Sequence, residues 1–175
     1  MNAKDVMRRQ VATVRPDESL ARTAALMRDR GCGAVVVVQA GSGRPLAMVT
    51  DRDICMVALR TNKPLSELAV ASAMSPALHV AALDDPVAAL ARRMGLHQIR
   101  RLPVVDAAGA LVGVVALDDL AQEARRQDDL FAPSLPAAAV GKALGEVARP
   151  HLELPTNGDA SAGAAPRARP KEAGL

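Results

Sequence analysis

Aromatic residues are almost absent from this chain, which has one Phe, no Trp and no Tyr in 175 residues. Proteins that bind single-stranded nucleic acids usually stack the bases on aromatic rings, so the composition disfavours that class. The net charge of +3 arises from 22 basic and 19 acidic residues, which are interspersed rather than gathered into a basic block. Such a charge balance permits a polyanionic partner but does not indicate one. We therefore do not expect nucleic acid to be the partner.

Long apolar runs and paired cysteines are also lacking. No stretch reaches the ~18 consecutive apolar residues that a membrane span needs, and the polar first ten residues are unlike a signal peptide. The two cysteines, Cys32 and Cys55, have neither disulfide-framework nor zinc-motif spacing, and His79 and His97 add no close ligand pair. We therefore predict no metal site, no membrane association, and a cytoplasmic setting with free thiols.

What the chain does contain is an internal repeat with a spacing of about 67 residues. The matching pairs are Met7 and Met74, Asp17 and Asp84, Met27 and Met94, and Val37 and Val104. After one extra residue in the first copy, residues 50–54 correspond to residues 116–120. Two copies of one unit predict a pseudo-twofold pair with a cleft between the copies, where a small ligand could bind.

Each copy has the same order of predicted elements: a short extended stretch, a helix, two strands and a second helix. The apolar runs at 34–38 and 102–105 are typical of buried strands, and each is followed by a turn and another apolar strand. Acidic residues and proline mark the start of the first helix in each copy, and Gly31 and Gly95 are predicted to end it.

The predicted fold class is α/β (α+β), with two tandem β-α-β-β-α repeats in pseudo-twofold symmetry. We assign residues 1–62 to the first repeat and 63–127 to a linker and the second repeat. Residues 128–149 form an extension with one short helix at 136–147, which Gly141 and Gly145 weaken. The alanine- and proline-rich residues 150–175 are expected to be a disordered tail.

The candidate chemistry lies where a strand runs directly into a helix at residues 47–53. The Thr50 hydroxyl and the free amides of a helix start could hold a phosphate, and the Asp53 carboxylate could accept both hydroxyls of a ribose. The same pair also forms a capping box, which needs no ligand. In the second copy Ala116 replaces the threonine but Asp119 keeps its place, so the acid persists where the reciprocal cap cannot form.

The chain resembles a pair of cystathionine-β-synthase (CBS) domains over about residues 1–125. The segments that carry the resemblance are 33–38, 49–54, 97–106 and 111–120. It implies a Bateman module that binds a ligand without catalysing a reaction. The expected ligand is AMP, ADP or ATP, less so S-adenosylmethionine or an NAD-type molecule, and no tightly bound cofactor is expected.

The resemblance also implies roles for individual residues. Thr50 would face phosphate and Asp53 and Asp119 would face ribose, with the Thr50/Asp53 site preferred because Ala116 removes the second hydroxyl. Arg100 and Arg101 would face the cleft and bind phosphate, the alternative being a surface pair without a ligand. The base would lie against the aliphatic residues of 12–14 and 34–36 or their second-copy equivalents, with Val14 and Ala34 as the leading candidates. His97 is interpreted as an exposed loop residue.

The resulting hypothesis is a regulatory sensor that forms a homodimer, a disc of four repeats, and acts on an unknown effector protein in trans. A ligand would shift the populations of two module shapes, which requires different affinities for the two. The alternative is a homodimeric interaction or scaffold protein that keeps the fold but binds no ligand.

Overall fold

The computed structural model describes residues 1–127 and 135–149. After a short helix, α1 (Ala3–Val6), the first repeat forms one small sheet and two helices. Its elements are β1 (Thr13–Val14), α2 (Leu20–Arg30), β2 (Ala34–Val38), β3 (Pro45–Thr50) and α3 (Asp51–Thr61).

The second repeat has the same order of elements, and 3-10 turns at Leu65–Glu67 and Val70–Ala73 precede it. Its elements are β4 (Ala81–Ala82), α4 (Val87–His97), β5 (Arg101–Val105), β6 (Leu111–Ala116) and α5 (Leu117–Arg126). The predicted C-terminal helix is present as α6 (Ala137–Val147). The predicted disordered tail, residues 150–175, lies outside the described residues.

The two sheets have the same topology, with strand orders β1-β2-β3 and β4-β5-β6. The first strand of each runs parallel to the second, and the second and third strands are antiparallel. The register shifts between Val37 and Val38 in one sheet and between Val104 and Val105 in the other, which is the same position in both copies. The predicted fold class and the duplication are thus confirmed down to the β-bulge.

The first helices of the two repeats end differently. Helix α2 ends as predicted at Gly31, which adopts the left-handed conformation at φ 59°. The prediction that Gly95 ends α4 is wrong, because the helix continues to His97 and Gln98 takes the left-handed position at φ 53°. Gly95 instead permits close packing of α6: a Cβ there would overlap the Glu146 carboxylate and lie 3.2 Å from Ala143 Cα.

The segment that leads into each repeat packs on the other repeat. Ala3 is fully buried in the core of the second repeat, and its N–H donates to the Asp85 carbonyl over 2.9 Å. Conversely, Val70 is buried in the core of the first repeat, and its N–H donates to the Glu18 carbonyl over 2.8 Å. Each repeat is therefore completed by a segment that precedes the other in sequence, and the boundary at 62/63 stays a prediction.

Helix α6 covers the second repeat only. Its buried face, Val140, Ala143 and Val147, belongs to the same core as α4 and α5. In the first repeat, helix α3, which is the counterpart of α5, exposes Met56 (53%) and Leu59 (75%). The repeats are therefore alike in backbone but differ in what covers their helices.

Candidate functional site

The two strand-to-helix junctions place an acid at the third residue of each helix, but with different partners. In the first junction, Asp53 Oδ2 accepts hydrogen bonds from the Thr50 N–H over 2.8 Å and the Thr50 hydroxyl over 2.6 Å. The Thr50 hydroxyl in turn accepts from the Asp53 N–H over 3.2 Å. The geometry is a complete capping box, in which the acid uses its Oδ2 oxygen.

In the second junction, Asp119 keeps only half of this arrangement. Its Oδ2 accepts from the Ala116 N–H over 3.0 Å, but Ala116 has no side-chain oxygen to return a bond to the Asp119 N–H. The remaining oxygen, Oδ1, accepts from Arg8 Nε at 2.7 Å and lies 2.6 Å from Arg8 Nη2. Only 9% of the Asp119 side chain is exposed, against 67% of the Arg8 side chain, so a largely buried carboxylate is paired with an accessible cation.

Arg8 reaches this position because of the exchanged N-terminal segment. Its backbone N–H and C=O bond to Val114 of β6 over 2.9 and 3.0 Å, which places the segment beside the second repeat. The position equivalent to Arg8 in the second copy is Ser75, which instead bonds to the backbone of Met48. The arginine–aspartate pair is therefore a feature of one junction only.

A cavity of about 380 Å³ lies between the repeats at the second junction. Residues of both repeats line it: 10–12, 30–34, Val36 and Met48 from the first, Arg101, Val114, Ala116, Asp118 and Asp119 from the second, with Arg8. Its volume is within the range of about 300–1,000 Å³ that is typical of small-molecule sites.

The lining combines aliphatic and charged residues. Ala12, Ala34 and Val36 contribute aliphatic surface from the first sheet, and three arginines, Arg8, Arg30 and Arg101, contribute positive charge. Guanidinium groups bind phosphate in a bidentate manner, and a carboxylate can accept two hydroxyls. The cavity can therefore accommodate a small molecule with an apolar part, hydroxyl groups and an anionic group.

Of the predicted site residues, Asp119, Arg101 and Ala34 come together in this cavity. Arg100 and Arg101 line a separate hollow of about 150 Å³ beside Leu144 of α6. Neither cavity is lined by Thr50 or Asp53, so the preference for that pair stays a prediction.

Val14 does not line either cavity. It is 2% exposed and belongs to the core of the first repeat, whereas Thr13 beside it is exposed. Successive side chains of a strand point to opposite faces, and Val14 is on the core face of β1. Ala12, which precedes the strand and belongs to the same predicted stretch, does line the cavity.

Sequence reasoning missed Arg8, Gln10 and Arg30 as cavity residues. Arg8 lies one residue after Met7, a member of the repeat, but nothing local indicates that this segment crosses to the second repeat. Arg30 is at the end of α2, where a cation is favoured by the helix dipole without any ligand. The sequence therefore does not indicate Arg8 or Arg30 as a ligand contact.

The positions that correspond to two cavity residues hold a stacked pair of histidines. By the repeat spacing, Ala12 and Arg30 correspond to His79 and His97, whose ring centroids are 3.7 Å apart with an interplanar angle of 20°. Partial burial, the neighbouring His97 ring and the Arg93 charge lower the pKa of His79. His97 is exposed as predicted, but it is the last residue of α4 rather than part of a loop.

Within residues 1–127 and 135–149, no three His, Cys, Asp or Glu side chains come together in a way that could hold a metal ion. None of the helices in the same ranges has the length and apolar character to span a bilayer.

The CBS domain family model matches residues 3–60 and 69–126, the same two units that the fold displays. The chain belongs to the CBS domain family. Among curated relatives, the CBS domain-containing protein YhcV of Bacillus subtilis is 41% identical over 127 residues, which are 69% of this chain and 83% of that protein. Hypoxic response protein 1 of Mycobacterium tuberculosis is 28% identical over 120 residues, covering 69% and 82%.

Solved structures of CBS proteins superpose on the same part of the chain. A crystal structure of Hypoxic Response Protein I with two coordinated zinc ions has a TM-score of 0.63 and 27% identity, and covers 70% of this chain and 98% of that one. A CBS domain protein from Pyrobaculum aerophilum complexed with AMP has a TM-score of 0.62 and 25% identity, and covers 69% and 90%.

Proposed function

We propose that this CBS pair is a non-catalytic sensor that binds an adenosine phosphate, such as AMP, in the cavity beside Asp119. The observation that carries the proposal is the combination of a largely buried carboxylate, three arginines and an aliphatic wall around about 380 Å³. The AMP complex of the relative from Pyrobaculum aerophilum supports this class of ligand. ADP and ATP are the next candidates, followed by S-adenosylmethionine and NAD.

In this proposal Asp119 accepts the two ribose hydroxyls. Its Oδ1 now accepts from Arg8, so the ligand must displace the guanidinium from that oxygen. Because Arg8 is mostly exposed and sits on a flexible side chain, it can turn toward the phosphate that arrives with the ribose. Arg8 would exchange its charge-assisted contact with Asp119 for one with the phosphate, so little binding energy is lost when the guanidinium moves.

The phosphate would lie at the start of α5, near Arg101. The Ala116 side chain offers no acceptor to the Asp119 N–H, and unpartnered amides with the positive end of the helix dipole favour an anion. In the first junction the same amide is occupied by the Thr50 hydroxyl. For this reason we place the ligand first at Asp119, although the sequence alone favours Thr50 and Asp53.

The base would pack on the aliphatic side chains of Ala12, Ala34 and Val36, since no aromatic side chain is among the described residues that line the cavity. Gln10, also on the lining, has both a donor and an acceptor with which to read the edge of a base. The output would be read by an effector protein in trans, and the protein would form a homodimer. A sensor of this kind requires that the ligand bind two module shapes with different affinities.

Thermal-shift and calorimetric titrations with AMP, ADP, ATP, NAD and S-adenosylmethionine test the proposal. We expect AMP to raise the melting temperature, with a stabilisation of about 2.7 kcal/mol at a concentration of 100 Kd. Asp119→Asn should abolish the shift, whereas the matched variant Asp53→Asn should retain it.

Two results would contradict the proposal. Loss of binding in Asp53→Asn with retention in Asp119→Asn would move the site to the first junction. The absence of any shift with all five ligands would instead favour the interaction or scaffold protein, for which the exposed Met56 and Leu59 on α3 offer an apolar surface.

A further inference from the structure

The stacked histidines lie at the pseudo-symmetric counterpart of the ligand cavity. The repeat spacing that relates Met27 to Met94 also relates Ala12 to His79 and Arg30 to His97. Ala12 and Arg30 both line the open cavity beside Asp119. Their counterparts contact each other ring to ring, with centroids 3.7 Å apart.

We propose that the rings of His79 and His97 close the second inter-repeat site when they are neutral and open it to a phosphate-bearing ligand when they are protonated. This inference rests on the proposed function in one respect, because it assumes that the second site takes the same class of ligand. The acid at that site is Asp53, which corresponds to Asp119.

The stack depends on charge. Two neutral imidazoles can stack, whereas two imidazolium rings with centroids 3.7 Å apart repel each other. Histidine is the side chain whose charge most often changes between pH 5 and 8, so acidification changes this balance. Once separated, each charged ring becomes a donor through both nitrogens, which suits a phosphate.

The charged groups around the pair reinforce this behaviour. Arg93, on the same helix as His97, adds positive charge near His79 and is itself held by Asp85 at 3.1 Å and the Val80 carbonyl at 2.6 Å. Glu146 on α6 lies against Gly95. Gly95 is two residues before His97 and so on another face of α4, which keeps this acid away from the ring stack.

The opening of the stack can be measured directly by NMR. We expect nuclear Overhauser contacts between the His79 and His97 rings at pH 7.5 and their loss at pH 5.0. The control variant His79→Ala should form no new ring contact, and its amide spectrum should show an unchanged fold. Persistence of the ring contacts at pH 5.0 would overturn the inference, whatever is found for ligand binding.

Calorimetry with AMP then tests the site itself. The wild-type chain should bind one AMP per chain at pH 7.5 and two at pH 5.5. The double variant His79→Ala/His97→Arg, which restores the residues of the first site, should bind two at both pH values. An unchanged stoichiometry in the wild type between the two pH values, or a single AMP for the double variant at pH 7.5, would overturn the inference.

Asp119→Asn separates this inference from the proposed function. That variant should bind no AMP at pH 7.5 and one at pH 5.5, because only the second site remains. If the wild type binds no AMP at pH 7.5 but one at pH 5.5, the proposed function fails and the present inference is supported. If the wild type binds one AMP at both pH values, the proposed function stands and this inference fails.

Discussion

The two strand-to-helix junctions hold the same acid at the same helix position, yet the two acids have different partners. Asp53 is bonded to Thr50, three residues away, through both backbone and hydroxyl. Asp119 is bonded to Arg8, which is 111 residues away and comes from the exchanged N-terminal segment. The partner of the first acid is a neighbour at the same helix start, whereas the second acid also pairs with an exposed arginine, which the ligand displaces in the proposed function.

A duplicated motif can therefore have two roles without a change in its backbone. The loss of one hydroxyl, from Thr50 to Ala116, removes the reciprocal cap and frees an amide at the start of α5. The cavity lies at that second junction. Substitutions that interchange or remove the partners test how far the two repeats differ.

The largest effect on stability is expected from truncation of Leu120, the buried residue that follows Asp119. Leu120→Ala should lower the free energy of unfolding by about 2–5 kcal/mol, as expected for truncation of a fully buried Leu. Its counterpart Ile54 is 6% exposed, so Ile54→Ala should cost less. Urea unfolding measures both, and an equal or larger loss for Ile54→Ala would mean that the cover provided by α6 adds nothing.

The next effect concerns the cover itself. Gly95→Val should cost about 1–3 kcal/mol, because a branched side chain cannot fit 3.2 Å from Ala143 Cα without moving α6. The counterpart on α2 is the exposed Arg28, and Arg28→Val should cost below about 1 kcal/mol, the range of helix propensity alone. Hydrogen exchange of the α6 amides should rise in Gly95→Val only. Unchanged exchange would show that α6 tolerates the added volume.

A smaller effect should distinguish the partners of the two acids. Arg8→Ala and Thr50→Ala should each cost about 1 kcal/mol, the first by removing an ion pair and the second by removing a cap. The Arg8 effect should shrink at high salt, because ionic strength screens the exposed arginine, and the Thr50 effect should not. Denaturation at two salt concentrations measures this. Equal salt dependence would indicate that Arg8 contributes through packing rather than charge.

The reverse substitution adds the missing hydroxyl to the second junction. Ala116→Thr should stabilise the protein by about 0.5–1 kcal/mol, because a threonine at the helix start can accept from the Asp119 N–H. Valine at the same position is the matched control, since it has the shape of threonine but no hydroxyl. A gain in Ala116→Val equal to that of threonine would assign the effect to volume rather than to the cap.

The smallest effect is expected from the pH dependence of stability. The lowered pKa of His79 means that the folded state takes up a proton less readily than the unfolded state, so stability is lost as pH falls below the ordinary value of 6.5. His79→Ala should reduce this loss and, at pH 8, should cost only the stacking contact of the two neutral rings. Thermal melts of the wild type and the variant from pH 8 to pH 5 measure the difference. If the melting temperatures of the two proteins fall in parallel, His79 is not the cause of the loss.

Much of the fold could be predicted from the sequence because its signals are local. The strands at Ala34–Val38 and Leu111–Ala116 have the predicted bounds, since an uninterrupted apolar run bordered by turn residues determines them. The same local reasoning was wrong for Gly95, where the glycine serves packing against α6 rather than the end of a helix. A local pattern does not distinguish a glycine that ends a helix from one that admits a neighbour.

The site was predictable only in part. The acid Asp119 follows from the repeat and the cation Arg101 from the family resemblance, and both line the cavity. Val14 belongs to the core, because a strand of two residues gives too little alternation to identify the face on which it lies. Arg8 and Arg30 required the three-dimensional arrangement, since they reach the cavity from the exchanged segment and from the end of α2.

The sequence by itself determined the duplication, the order of the elements and the place of an acid at two helix starts, because each depends on spacing within one copy. Only the tertiary structure decided which acid borders a cavity, which cation pairs with it and where the two histidines meet. These choices depend on contacts between residues far apart in the chain, and the exchange of the leading segments brings the decisive contact, Arg8 with Asp119, into place.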